Sequence, residues 1–86
     1  MFERFNGITA EEKSALTFDD FTVSEIKALI EETVLSDRDR IIAELKLCRA
    51  FTIEGIAGKL GFDDKTIETA VLKIKEKVKK TILKIL

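Results

Sequence analysis

Several residue types that break helices or carry chemistry are missing from this chain. Its 86 residues include no proline, histidine, tryptophan or tyrosine, and only one cysteine. Without proline, the main helix breaker, most segments are free to be helical, and the abundance of Ile, Leu, Lys and Glu favours helices further. The single cysteine, Cys48, cannot form an internal disulfide, and a chain without histidine lacks the usual zinc-site spacings.

These absences also bear on catalysis. No histidine can activate Cys48 or act as a general base, and no paired-carboxylate motif, phosphate-binding glycine loop or Ser/His/Asp set appears. We therefore expect no enzyme activity, no catalytic residue, no cofactor and no metal. The sequence shows no signal-like N-terminus and no apolar run of transmembrane length, so we expect a cytoplasmic protein that does not cross a membrane.

The length and composition predict one small domain. Apolar residues make up 45% of the chain and charged residues 36%, which is enough apolar surface for one core and too much for a disordered chain. We expect an all-α fold of four to five helices over residues 1–86. Within it, residues 1–34 would form an N-terminal helical arm or lid, and residues 35–86 a separate helical module.

The net charge of −1 conceals a gradient along the chain. Residues 1–43 carry five Lys and Arg against ten Asp and Glu, whereas residues 44–86 carry ten against six, so the two parts have net charges of −5 and +4. A basic C-terminal half favours an approach to phosphates, although solvated helix faces produce similar gradients.

Capping residues predict where the helices begin. Thr9 and Thr22 each precede a glutamate by three positions, which is the capping-box pattern. Ser36, Thr52 and Asp63 are preferred N-cap residues for three further helices. The first helix is expected to end near position 16, the second to span 23–34, and the last to continue almost to the C-terminus.

Apolar residues at helical spacing predict the buried faces. The predicted core positions are Val23, Ile26, Leu29, Ile30 and Val34, then Ile41, Ile42, Leu45 and Cys48, and then Ile53, Ile56, Ala57 and Leu60. Phe18 and Phe21 are expected to cover the core, the alternative being an exposed aromatic docking patch. Gly61 is expected to end a helix in the left-handed conformation, so that Phe62 turns back into the core.

The last helix carries an apolar seam that exceeds what a small domain needs. Its members follow one another at steps of four or three residues along the helix: Ile67, Val71, Ile74, Val78, Ile82 and Ile85. The end of the seam should therefore require a partner, and we predict a homodimer. The residues predicted to form its interface are Val78, Ile82, Ile85 and Leu86.

Three short motifs between Leu35 and Val78 resemble a known family. LSDRDR at 35–40 looks like L-[ST]-x-R-[DE]-R, TIEGIAGKLG at 52–61 is similar to T-x-x-E-I-A-x-x-L-G, and DKTIET at 64–69 to x-K-T-V-x-T. These patterns belong to the helix-turn-helix shared by LuxR-type regulators and by region four of bacterial sigma factors. Residues 1–34 are not covered by the resemblance.

The resemblance implies a DNA-binding transcription regulator whose last helix enters the major groove. Carried over by position, Lys65, Glu68 and Thr69 would face base edges or phosphates. Thr66 would lie near the DNA backbone, and Lys73 would reach a phosphate.

Three departures from the family pattern keep an alternative open. Gly55 replaces the acidic residue that completes the capping box, and Ala70 stands where sigma factors commonly carry arginine. Asp63, Asp64 and Glu68 place negative charge where a duplex would lie. The alternative is a protein-interaction module on the same scaffold that binds RNA polymerase, another regulator or a second copy without binding DNA. Membrane binding through the lysine-rich last helix is less favoured.

Overall fold

The computed structural model describes residues 1–86 and contains five α-helices and no strands. The helices are α1 (Ala10–Ala15), α2 (Val23–Glu32), α3 (Asp37–Ala43), α4 (Ile53–Leu60) and α5 (Asp64–Ile85). Short 3₁₀ turns occupy Glu3–Phe5 and Phe18–Asp20, and α3 continues as a π-helical turn over Glu44–Cys48. The predicted all-α fold is confirmed.

All five predicted N-caps are formed. Thr9, Thr22, Ser36, Thr52 and Asp63 each accept a hydrogen bond through the side chain from the backbone N–H three residues on. The glutamates that follow the first two caps also bond back, which completes both capping boxes. Local sequence therefore determines where each helix starts, because these bonds satisfy N–H groups that have no partner inside the helix.

The core is organised around one face of α5. The buried residues of this helix recur at helical spacing: Ile67, Ala70, Val71, Ile74, Val78 and Ile82. Each of the other four helices packs directly against α5. Because a 22-residue helix is about 33 Å long, the molecule is elongated, with extents of 43 × 20 × 20 Å.

The far end of the apolar seam is covered by the chain's own N-terminal part. Val78 is 0% exposed and Ile82 is 1% exposed. Beside them, the Thr33 and Thr81 hydroxyls lie 2.7 Å apart, and Lys79 Nζ donates to the backbone carbonyls of residues 14 and 16 at 3.0 Å each. The expectation that this end needs a second chain is therefore wrong for Val78 and Ile82, because residues 1–34 bury them.

An aromatic cluster holds the N-terminal segment in place. Phe21 is 7% exposed, and its ring centroid lies 6.4 Å from that of Phe2 and 4.9 Å from that of Phe5. Phe18 packs against the same core. As expected, these phenylalanines cover the core.

A partly buried ion pair lies beside this cluster, since Glu25 is buried whereas the Arg4 side chain is 51% exposed. Arg4 donates through Nη2 to Glu25 Oε1 at 2.5 Å, and the backbone N–H of Thr22 donates to the same oxygen at 2.8 Å. The hydrogen bond from Arg4, followed by that from Thr22, holds the pKa of Glu25 below its ordinary value. The carboxylate therefore remains charged although Glu25 is buried, and it ties the first residues to α2.

Several predicted core positions lie outside the core. Val23, Val34 and Ile41 are 56%, 90% and 50% exposed. Val34 follows the end of α2, so helical spacing does not apply to it, and Val23 is the first residue of that helix. On α3 and its π-helical continuation, the buried stripe is occupied by Ile42, Ala43 and Leu45, which leaves Ile41 outside.

Cys48 is half-buried rather than part of the core. Burial, with a smaller contribution from the charge of Glu44, raises the pKa of its thiol. The thiol is therefore held in its protonated, less nucleophilic form.

Replacing Ile82 with alanine tests whether the seam is buried within one chain. We expect Ile82→Ala to lower the free energy of unfolding by about 2–5 kcal/mol. The adjacent Leu83, which is 42% exposed, provides the matched control, and Leu83→Ala should cost much less. Denaturant titrations at low and high protein concentration measure both effects. A wild-type stability that falls on dilution would contradict burial within one chain.

Candidate nucleic-acid interface

α4 and α5 are joined by a tight turn that depends on Gly61. Gly61 has a φ of +78°, and the N–H groups of Gly61 and Phe62 both donate to the carbonyl of Ala57, at 2.9 and 3.1 Å. Such a left-handed residue after the last helical turn ends a helix at little steric cost when it is glycine. The predicted conformation of Gly61 is confirmed.

Asp63 begins α5 immediately after this turn. Its carboxylate accepts a hydrogen bond from the backbone N–H of Thr66 at 2.8 Å. Hydrogen bonds from the hydroxyl and the backbone N–H of Thr66 hold the pKa of Asp63 below its ordinary value. The charge of Asp63 is thus used locally, where it offsets the positive end of the helix dipole.

A cleft lies between the start of α3 and the first half of α5, and we call it the α3–α5 cleft. Its volume is about 430 Å³. The residues that line it are Arg38, Asp39, Asp63, Lys65, Thr66, Thr69, Ala70 and Lys73. The cleft therefore lies between the LSDRDR segment and the beginning of the last helix.

Four of the five residues predicted to bind DNA meet in this cleft. Lys65, Thr66, Thr69 and Lys73 lie on the same side of α5, because Thr69 follows Lys65 by four residues and Thr66 by three, and Lys73 follows Thr69 by four. Glu68 does not line the cleft and is exposed to solvent elsewhere on α5. The only acidic residue among the five predicted to bind DNA thus lies outside the cleft.

Arg38 is a lining residue that the sequence interpretation did not assign to the site. Its Nη2 donates to Asp39 Oδ1 at 3.0 Å, and its guanidinium carbon lies 5.7 Å from the ring centroid of Phe62. Its membership of the LSDRDR motif was the available signal. The same contact explains why Phe62 remains 39% exposed, because the ring supports Arg38 at the surface instead of entering the core.

The residues that line the cleft carry a net positive charge. Its cations are Arg38, Lys65 and Lys73, and its acids are Asp39 and Asp63. Arg38 is paired with Asp39, whereas neither lysine takes part in an ion pair. Two unpaired ammonium groups therefore face solvent beside two threonine hydroxyls, and this combination can bind anionic oxygens.

Ala70 occupies the floor of the cleft. It is 5% exposed, on the face of α5 that packs against the core. The position where sigma factors commonly carry arginine therefore adds no charge to the cleft in this chain.

The remaining predicted site residues lie at the other end of α5. Val78 and Ile82 are buried, Ile85 is 39% exposed, and Leu86 is partly buried against the core. No group of three or more Asp, Glu or Cys side chains is placed to hold a metal ion. None of the helices is both long enough and apolar enough to cross a membrane.

Comparison with known proteins adds no family assignment. No protein-family model, curated protein or solved structure matches the chain.

Two glycine substitutions test the turn that positions the cleft. Gly61→Ala forces a side chain into the left-handed region and should destabilise the protein by about 1–2 kcal/mol. Gly58 lies inside α4 with no heavy atom near its missing Cβ, so Gly58→Ala should instead stabilise by about 0.5–1 kcal/mol. Thermal and denaturant unfolding experiments measure both changes in stability. Equal effects of the two substitutions would contradict the special conformation of Gly61.

Proposed function

We propose that this protein is a transcription regulator, or a sigma-region-four-like protein, that binds duplex DNA through α4 and α5. The observation that carries the proposal is the meeting of Lys65, Thr66, Thr69 and Lys73 beside Arg38 in one exposed cleft. A protein with this role works in the cytoplasm, which is where we place it.

The dimensions of α5 support insertion into DNA. An α-helix with side chains is about 10–12 Å wide, and the major groove of B-DNA is about 12 Å wide. The buried face of α5 points into the core, so the groove would receive the opposite face at the start of the helix. Thr69 is exposed there, next to the lysines of the cleft.

The resemblance to the helix-turn-helix family suggests a role for the residues predicted to bind DNA. Lys65 and Thr69 would contact base edges or phosphates, Thr66 would lie near the backbone, and Lys73 would bind a phosphate. Arg38, projecting from the neighbouring helix, would supply a second anchor to the phosphate backbone. Glu68, outside the cleft, would accept a hydrogen bond from a cytosine amino group.

Charge-removing substitutions test this interface. The double variant Lys65→Gln/Lys73→Gln should bind duplex DNA more weakly, and the slope of log affinity against log salt should fall by about 2, which is about 0.9 for each lost phosphate contact. Fluorescence anisotropy with a labelled duplex, over about 50–200 mM salt, measures the slope.

The matched control is Lys13→Gln/Lys27→Gln, which changes the net charge equally at residues outside the cleft. It should retain most of the affinity and the wild-type slope. A wild-type protein that does not bind duplex DNA at low salt would overturn the proposed function.

A protein partner is the second candidate, and one observation favours it. Asp64 and Glu68 are exposed at the start of α5 without any ion-pair partner, which opposes a polyanion. A basic surface on RNA polymerase or on another regulator would complement these acids. We also retain the homodimer as a proposal, now restricted to the partly exposed tip at Ile85 and Leu86.

A further inference from the structure

A second cleft lies further along α5, and we call it the distal cleft. It has a volume of about 570 Å³ and lies between the end of α2 and the last three turns of α5. Three lysines line it, Lys77, Lys80 and Lys84, against a single acid, Glu32. None of these four side chains forms an ion pair.

The lysines of the distal cleft continue those of the α3–α5 cleft. Lys73, Lys77, Lys80 and Lys84 are separated by four, three and four residues, so they lie along one side of α5. This lysine row begins in the first cleft and extends about 16 Å along the helix, at about 1.5 Å per residue. The two clefts are thus consecutive parts of one basic flank.

The packing of α5 fixes this flank in the folded protein. Ile74, Val78 and Ile82 are at most 2% exposed, which prevents the helix from turning about its axis. Among the other lysines of this part of α5, Lys75 and Lys79 are half-buried, and the ammonium of Lys79 donates to two backbone carbonyls. The lysine row therefore stays directed toward solvent.

We infer that Lys77, Lys80 and Lys84 bind the sugar-phosphate backbone of the same duplex that the α3–α5 cleft binds. This inference rests on the proposed function. A helix that lies in the major groove has a phosphate strand along each flank, and lysine is a point charge suited to phosphate rather than to a base edge. The contact would lengthen the DNA site without adding sequence specificity.

The continuity of the lysine row with the α3–α5 cleft favours DNA over other anionic partners. An acidic protein segment could also meet three lysines, but the row starts among the predicted DNA-binding residues, and Glu32 is the one acid among the residues that line the distal cleft. The distal cleft also has few apolar side chains at its wall, Val34 and Ile85, to anchor a peptide.

The experiment compares the DNA affinity of triple variants of the full chain by fluorescence anisotropy. The labelled duplex has about 20 base pairs, and at about 3.4 Å per base pair it is longer than the protein, whose longest extent is 43 Å. In Lys77→Gln/Lys80→Gln/Lys84→Gln, the salt slope should fall by about 2 to 3, since each phosphate contact contributes about 0.9. The charge-preserving variant with arginine at the same three positions should keep the wild-type slope. Circular dichroism establishes that each variant is folded.

The matched control is Lys13→Gln/Lys27→Gln/Lys46→Gln, which removes three charges outside both clefts and should leave the slope near that of the wild type. A wild-type slope in the distal triple variant, with a reduced slope in Lys65→Gln/Lys73→Gln, would overturn this inference and leave the proposed function standing. Absence of duplex binding by the wild type would overturn both. Binding of a poly-glutamate peptide, but not of duplex, through the three lysines would assign the distal cleft to an acidic protein partner instead.

Discussion

Burial of the apolar seam of α5 is the constraint on which the rest of this structure depends. Ile67, Ile74, Val78 and Ile82 are at most 2% exposed, and full burial of such side chains stabilises by roughly 1.5–3 kcal/mol each. A single helix cannot bury its own face, so the other four helices assemble along it. The N-terminal segment takes part in this burial, because α1 and α2 both pack against this helix, which is about 33 Å long.

The same constraint positions the polar residues of α5. With one face held in the core, Lys65, Thr69 and Lys73 are directed to solvent beside Arg38, and the later lysines follow along the same flank. Asp63 is retained at the helix start because it caps α5, which accounts for one of the acids near the cleft. The length of the seam therefore determines the length of the basic surface.

Local signals in the sequence predicted the helix starts and the turn, because a capping residue or Gly61 acts within three or four positions of itself. What could not be predicted depended on contacts between distant residues. Helical spacing identified Val78 and Ile82 as apolar positions, but it could not show that α1 and α2 would pack against this end of α5, where Thr33 meets Thr81 and Lys79 meets the carbonyls of residues 14 and 16. Likewise, the place of Arg38 in the cleft and the exposure of Phe62 follow from one contact between α3 and the turn.

Whether α5 binds DNA can be measured by mapping amide chemical shifts in the ¹⁵N-labelled protein during titration with duplex DNA at low salt. We expect the largest changes between Lys65 and Lys73 and further changes from Lys77 to Lys84, while α1 and the first two turns of α2 change little. Unchanged amides throughout α5, or changes confined to residues 10–32, would contradict this expectation.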